Sequence, residues 1–230
     1  MTDIIERLKP ADFGPIYAET NLSRFPVEPF NAISNLIFLL IIIWLIKETK
    51  FNFKKHPLLT ISIPLFFVGF IGGTIFHATR SANIWLILDF TPIFLLSALA
   101  AYDLWRTIIS SKLMAFLIAI APLFIARFVH ALLEVPMLIK AVLGYGSLAV
   151  IILLPSIIVA SRLGRKNILQ VVAATFLFLI AIIFRSLDSE KILPMGTHFL
   201  WHIFGGLSVW ALLLVVKERD QRSELIKKTS

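Results

Sequence analysis

The sequence predicts an all-α polytopic membrane protein with seven transmembrane helices, its N-terminus outside and its C-terminus cytoplasmic. Three observations lead there. Of 230 residues, 58% are hydrophobic and only 16% charged, whereas a soluble domain carries about 25% charged residues. The polar residues fall in short clusters between apolar runs long enough to cross a hydrocarbon core of about 30 Å. The basic residues are concentrated in alternate loops, as expected when positive loops stay in the cytoplasm.

Residues 1–28 precede the first run and are read as an extracytoplasmic segment. They are mixed in charge and lack the basic start, short apolar stretch and small-residue cleavage site of a signal peptide, so the run Asn31–Ile46 is read as a retained helix. Leu58–Ala78 is the second span and Ile84–Tyr102 the third. The fourth, Leu113–Leu133, brings Arg127 and His130 towards its end, with Glu134 just beyond. Ala141–Ala160 is the fifth span, Ile168–Phe184 the sixth, closed by Arg185 and Asp188, and Thr197–Val216 the seventh. Pro64, Pro92, Pro122 and Pro155 lie inside these runs. A membrane bundle tolerates them because neighbouring groups satisfy the freed backbone. Residues 29–217 thus form one transmembrane domain, and residues 218–230 a charged cytoplasmic tail.

Loops 1–2, 3–4, 5–6 and the tail hold Lys47, Lys50, Lys54, Lys55, Arg106, Lys112, Arg162, Arg165, Lys166, Lys217, Arg219, Arg222, Lys227 and Lys228, fourteen of the 22 basic residues. Membrane orientation explains this +8 net charge better than nucleic acid does, so no nucleic-acid partner is expected. With no cysteine there is no disulfide framework, thiolate ligand or cysteine nucleophile, and any metal must take nitrogen or oxygen donors.

Ionisable groups inside spans are costly and mark function by default. In this topology His77 ends helix 2 on the outer side, Asp89 sits in the opening turns of helix 3, and His198 and His202 occupy the first two turns of helix 7. His198-Phe199-Leu200-Trp201-His202 places two imidazoles on one helix face, close enough for one ion to bridge. In a soluble helix such a pair is more often structural; within a span, an imidazole has no water to satisfy it. His77 completes three nitrogen ligands with an open fourth position, the arrangement of catalytic zinc, in which the bound water has its pKa lowered to about 7. Asp89 then orients that water, acts as general base, or holds a histidine in place.

These residues resemble a known family. Gly72-Gly73-Thr74-Ile75-Phe76-His77, Leu88-Asp89-Phe90-Thr91-Pro92, the His-Phe-Leu-Trp-His stretch and Glu28-Pro-Phe-Asn31-Ala-Ile-Ser34-Asn35 are similar, in family order, to the alkaline ceramidases, seven-helix intramembrane zinc amidases related to the adiponectin receptors. The resemblance implies zinc held by His77, His198 and His202, Asp89 acting on the metal's water, and hydrolysis of a ceramide to fatty acid and sphingoid base. It also implies a calcium site before helix 1, with Glu28 as one ligand and Glu19 and Asn21 as partners. The loop lacks the family's other acidic ligand, and the residues themselves favour a different use, with Glu28, Asn31 and Asn35 capping helix 1 and bracing the histidines. One position departs from the pattern. The family serine four residues before the first histidine is Gly73 here, and Thr74 points about 100° away on an ideal helix. That change bears on rate or choice of amide and leaves the metal ligands intact.

The expected partners are the bilayer and a lipid substrate, ceramide or a related N-acyl lipid. A bacterial inner membrane is expected in preference to an endomembrane. A receptor-like member with structural zinc is the alternative. For Arg127, His130, Glu134, Arg185 and Asp188 the expectation is salt-bridging within the bundle. A transporter is disfavoured because the polar groups cluster at one face and follow no path through the middle.

Overall fold

The computed structural model describes residues 10–132 and 137–229, and every regular element among them is helical. In chain order these are α1 (Pro29–Ser34), α2 (Leu36–Thr49), α3 (Pro57–Thr79), α4 (Asn83–Arg106), α5 (Lys112–Leu132), α6 (Met137–Leu163), α7 (Arg165–Ser186) and α8 (His198–Thr229), with a 3₁₀ turn at Asp188–Glu190. Each of the seven apolar runs is therefore helical over most of its described residues. Among the described residues, five stretches are long and apolar enough to cross a membrane, namely Pro29–Thr49, Pro57–Thr79, Asn83–Arg106, Arg165–Ser186 and His198–Ile226.

The surface of α7 shows why such a chain belongs in lipid. Leu169, Val172, Phe176, Leu179 and Ile183, spaced three and four apart, are each more than half exposed, while Val171, Ala174 and Ala181 on the other face are buried. Water would penalise that apolar stripe, and a bilayer accepts it.

Most helices run a few residues beyond the apolar runs, and two ends show why. The first run begins earlier, at Pro29, where a proline suits the opening turn of a helix, and its ladder breaks at Asn35 between α1 and α2. The last helix continues through residues 217–229, which lie beyond the apolar run. Hydropathy marks where a chain leaves the apolar layer, and Lys217 to Thr229 contain no glycine or proline to stop the helix.

The chain folds as two compact units, Met1–Phe94 with Ala173–Ala211, and Leu95–Val172 with Leu212–Ser230. In the first, α3 packs against both α1 and α2. Leu45 and Leu59 are fully buried, and Phe38 stacks on Phe66. Small residues permit close approach. A Cβ on Gly72 would lie 2.6 Å from the Leu88 carbonyl carbon of α4, and one on Gly206 would lie 2.6 Å from Ile37 of α2. Ser208 of α8 donates to the Ala174 carbonyl of α7 at 2.8 Å. In the second unit α5 packs on α6, Ala101, Ala119 and Ile151 form a buried core, and the Trp105 indole donates to the Ile151 carbonyl at 3.2 Å. Arg219 pairs with Asp103 and Asp220, and Arg222 donates to the Leu163 carbonyl, so the basic C-terminal end of α8 is tied down by specific contacts.

Candidate metal centre

Three histidines from two helices meet inside the first unit. His77 lies in the last turn of α3, and His198 and His202 begin α8 one turn apart. All three are buried, and one nitrogen of each lies within 4.8 Å of the others. The imidazole centroids are 4.7 to 5.3 Å apart.

Hydrogen bonds decide which nitrogens are bare. His77 Nδ1 meets Glu28 Oε2 at 2.5 Å. A carboxylate has no proton to give, so His77 carries its hydrogen on Nδ1 and exposes the Nε2 lone pair. Ser34 spends its hydroxyl hydrogen on the Asn31 carbonyl at 2.8 Å, so in its 2.7 Å contact with His202 Nδ1 the serine accepts. His202 therefore also presents Nε2 as a lone pair. His77 Nε2 and His198 Nδ1 are buried with no hydrogen-bond partner. Bare lone pairs on clustered imidazoles, held by acceptors on their far sides, are the donor set and outer support of a divalent transition-metal site, and the group fits a metal ion.

The residues before α1 supply much of that support. Glu28 is fully buried and accepts at four points: from Thr20 at 2.5 Å and Arg80 at 2.5 Å on Oε1, and from His77 at 2.5 Å and Asn31 Nδ2 at 3.2 Å on Oε2. Burial opposes its ionisation, but the hydrogen bonds from His77 and Thr20 and the charge of Arg80 outweigh burial and hold the carboxyl below its ordinary range. Glu28 stands at the N-cap position of α1 yet makes no side-chain cap. That job falls to Glu19, whose carboxylate accepts from the Phe30 and Asn31 amides at 2.7 and 2.9 Å. Burial raises the Glu19 carboxyl, against these amide bonds and the Arg24 charge.

The three residues assigned to calcium are thus engaged elsewhere. Glu28 has its roughly four lone-pair positions filled by donors, Glu19 caps a helix, and Asn21 is exposed and accepts from the Ser23 amide at 3.0 Å. The expected bracing of a histidine by Glu28 is present, and so is the bond from Ser34 to the other. Asn35 donates to the Asn31 carbonyl at 3.2 Å and leaves its own Oδ1 buried without a partner.

Asp89, on the second turn of α4, lies apart from the three gathered nitrogens. Its carboxylate rests on the backbone of Gly73, one turn before His77. A Cβ there would collide with Asp89 Oδ1 and come 3.0 Å from Asn35 Oδ1. The Asp89 carboxylate thus occupies the space that a side chain at Gly73 would need. The helix stays regular through Gly72 and Gly73, so Thr74 is not swung into the vacated position, and its hydroxyl is buried without a partner.

Four further residues shape the site. Asp188 Oδ1 accepts from the Thr197 and His198 amides at 2.8 and 2.9 Å, and its Oδ2 from the Ala18 amide at 2.9 Å. Asp188 caps α8 at its histidine-bearing end and, among the described residues, makes none of the ion pairs expected of it. Gly196 makes room for that cap. Its φ is +73°, and a Cβ would strike Asp188 Oδ1 and lie 2.6 Å from Ala18. Tyr17 stacks on His198 with centroids 3.9 Å apart. Among the described residues Arg185 makes no ion pair; it lies over the Trp201 ring at 5.1 Å. The side chains of Arg127 and His130, and all of Glu134, lie outside the described residues. No protein-family model matches this chain, and neither does any characterised protein.

Proposed function

We propose that this chain is a zinc-dependent intramembrane amide hydrolase, ceramidase-like, that cleaves an N-acyl sphingoid base into fatty acid and free amine. The observation that carries the reading is the buried histidine triad, with two nitrogens left bare by hydrogen bonding and the Asp89 carboxylate set against Gly73, one turn before His77. A zinc ion on those nitrogens would supply a Lewis acid and lower the pKa of a bound water to about 7. Asp89 takes the proton from the attacking water and returns it to the amide nitrogen as the C–N bond breaks. Glu28 and Ser34 hold His77 and His202 in the tautomers that ligation requires, and Tyr17 keeps water from one face of His198.

On this reading all seven apolar helices cross the bilayer, with the N-terminus outside, the C-terminus cytoplasmic and the site near the outer face. The basic loops support that orientation, and a bacterial inner membrane suits it. Residues 29–217 are the transmembrane domain, flanked by residues 1–28 outside and 218–230 inside. The substrate enters from the bilayer, as its long chains demand.

A second reading, a receptor-like member with a structural metal, draws on Gly73, which removes a hydroxyl from beside the site. Metal content measured together with fatty-acid release from a panel of ceramides separates the two. One zinc per chain with release supports the hydrolase, and zinc without release from any N-acyl amide supports the receptor-like member.

A further inference from the structure

Arg80 lies three residues beyond His77, and the proposed reaction does not use it. It is the largest fully buried side chain among the described residues, and its φ of +51° is a conformation that favours glycine. A guanidinium has five N–H donors, and all five are directed at acceptors. Nε donates to Asp12 Oδ2 at 2.6 Å. Nη1 donates to Glu28 Oε1 at 2.5 Å and Thr20 Oγ1 at 3.4 Å. Nη2 donates to Asp12 Oδ1 at 2.9 Å and the Pro15 carbonyl at 3.0 Å. Every acceptor belongs to the segment before α1. Phe76 lies beneath the cation at 4.6 Å.

The arrangement does more than strap a loop to a helix. Glu28 is shared, with one oxygen on Arg80 and the other on His77 Nδ1. Arg80 therefore sets the rotation of the Glu28 carboxylate and, through it, the ring orientation and tautomer of His77. Charge points the same way. Asp12, Arg80 and Glu28 together carry one net negative charge where the two carboxylates alone would carry two.

We propose that Arg80 is a positioning residue of the metal site, a built-in cation that acts on His77 through Glu28 and makes metal affinity depend on the segment holding Asp12. This rests on reading the three histidines as a metal site. Outer-shell partners of ligating histidines typically govern metal affinity by about 10- to 100-fold, and charge-assisted hydrogen bonds are the strong ones.

The test is zinc affinity of the full-length, detergent-purified protein, measured by competition with a chelating dye. It is run on wild type, Arg80→Lys, Glu28→Gln and their combination. The charge-balanced pair Asp12→Asn with Arg80→Gln serves where Arg80→Lys fails to fold. Lysine keeps the charge but has three donors and cannot span Asp12 and Glu28 as the guanidinium fork does. Zinc binding should weaken about 10- to 100-fold in Arg80→Lys, with little further loss when Glu28→Gln is added, because both act along one path. A purely structural strap lowers the melting temperature and leaves zinc affinity of the folded protein at the wild-type value; that result overturns the proposal, as do losses from Arg80 and Glu28 that multiply independently. A wild type that binds no zinc sinks the metal reading itself, whereas zinc binding indifferent to Arg80 sinks only this inference.

Discussion

Replacing Gly73 with alanine separates metal binding from proton transfer. The new Cβ would overlap Asp89 Oδ1, lie 3.2 Å from Asp89 Cγ and lie 3.0 Å from Asn35 Oδ1. Ordinary contact between such atoms begins near 3.5 Å, so the carboxylate must retreat by about 1 Å. A misplacement of that size costs about 100-fold in turnover, equivalent to about 2.7 kcal/mol on the barrier. The fold loses less. Overpacking costs about 1–3 kcal/mol, offset by the roughly 1 kcal/mol that alanine gains over glycine within a helix. None of the three atoms nearest the new Cβ belongs to a histidine, so zinc content should hold at the wild-type value. The control is Gly72→Ala, whose Cβ would meet Leu88 backbone carbon at 2.6 Å and Asp89 nitrogen at 2.8 Å. Backbone cannot swing aside, so this variant should show the larger fall in melting temperature. The assay is release of fatty acid from a long-chain N-acyl amide, with zinc content and melting temperature measured on the same preparations. Wild-type turnover in Gly73→Ala, or loss of its zinc, would refute the placement of Asp89 as the proton-transfer group.

Two further variants test the support of the ligands. Glu28→Gln should weaken zinc binding by about 10- to 100-fold. Because the folded carboxyl is held below its ordinary range, its contribution to stability is full above an unfolded pKa of about 4.3 and is lost as pH falls through the folded value. Melting curves taken across that range should show the wild-type advantage over Glu28→Gln shrinking on acidification, and a constant advantage would count against the ionised pairing. Asp188→Ala removes the acceptor of the Thr197 and His198 amides and should cost about 1–2 kcal/mol, read as a lower denaturation midpoint. Weaker zinc binding should accompany it, since His198 is the first residue of the helix it caps.

The helices and the histidine triad were legible for one reason. In a chain so apolar, both the length of a run and any polar residue within it are informative, and His198 and His202 at a spacing of four could hardly be missed. Hydropathy could not see the continuation of α8 past Val216, because nothing ends the helix where the apolar run ends. The supports were illegible for a different reason. Asp12 and Arg80 meet across 68 positions of sequence, and no periodicity links a residue in an irregular segment to one at a helix end. The sequence points to Glu28, but the fold splits the two roles, with Glu19 capping the helix and Glu28 bonding His77. A signal for Asp188 did exist, since Gly196 followed by Thr197 reads as a turn opening a helix, though it does not say which carboxylate closes the cap. By the resemblance to the alkaline ceramidases Gly73 reads as the loss of a hydroxyl, and only the position of Asp89 shows what fills the space.

The most direct test of the central claim is zinc content of the detergent-purified protein, measured together with fatty-acid release from a panel of ceramides, for wild type and His198→Ala. One zinc per chain in the wild type, with release that disappears along with the zinc in the variant, is the predicted result. A wild type without zinc, or release that persists in His198→Ala, would contradict it.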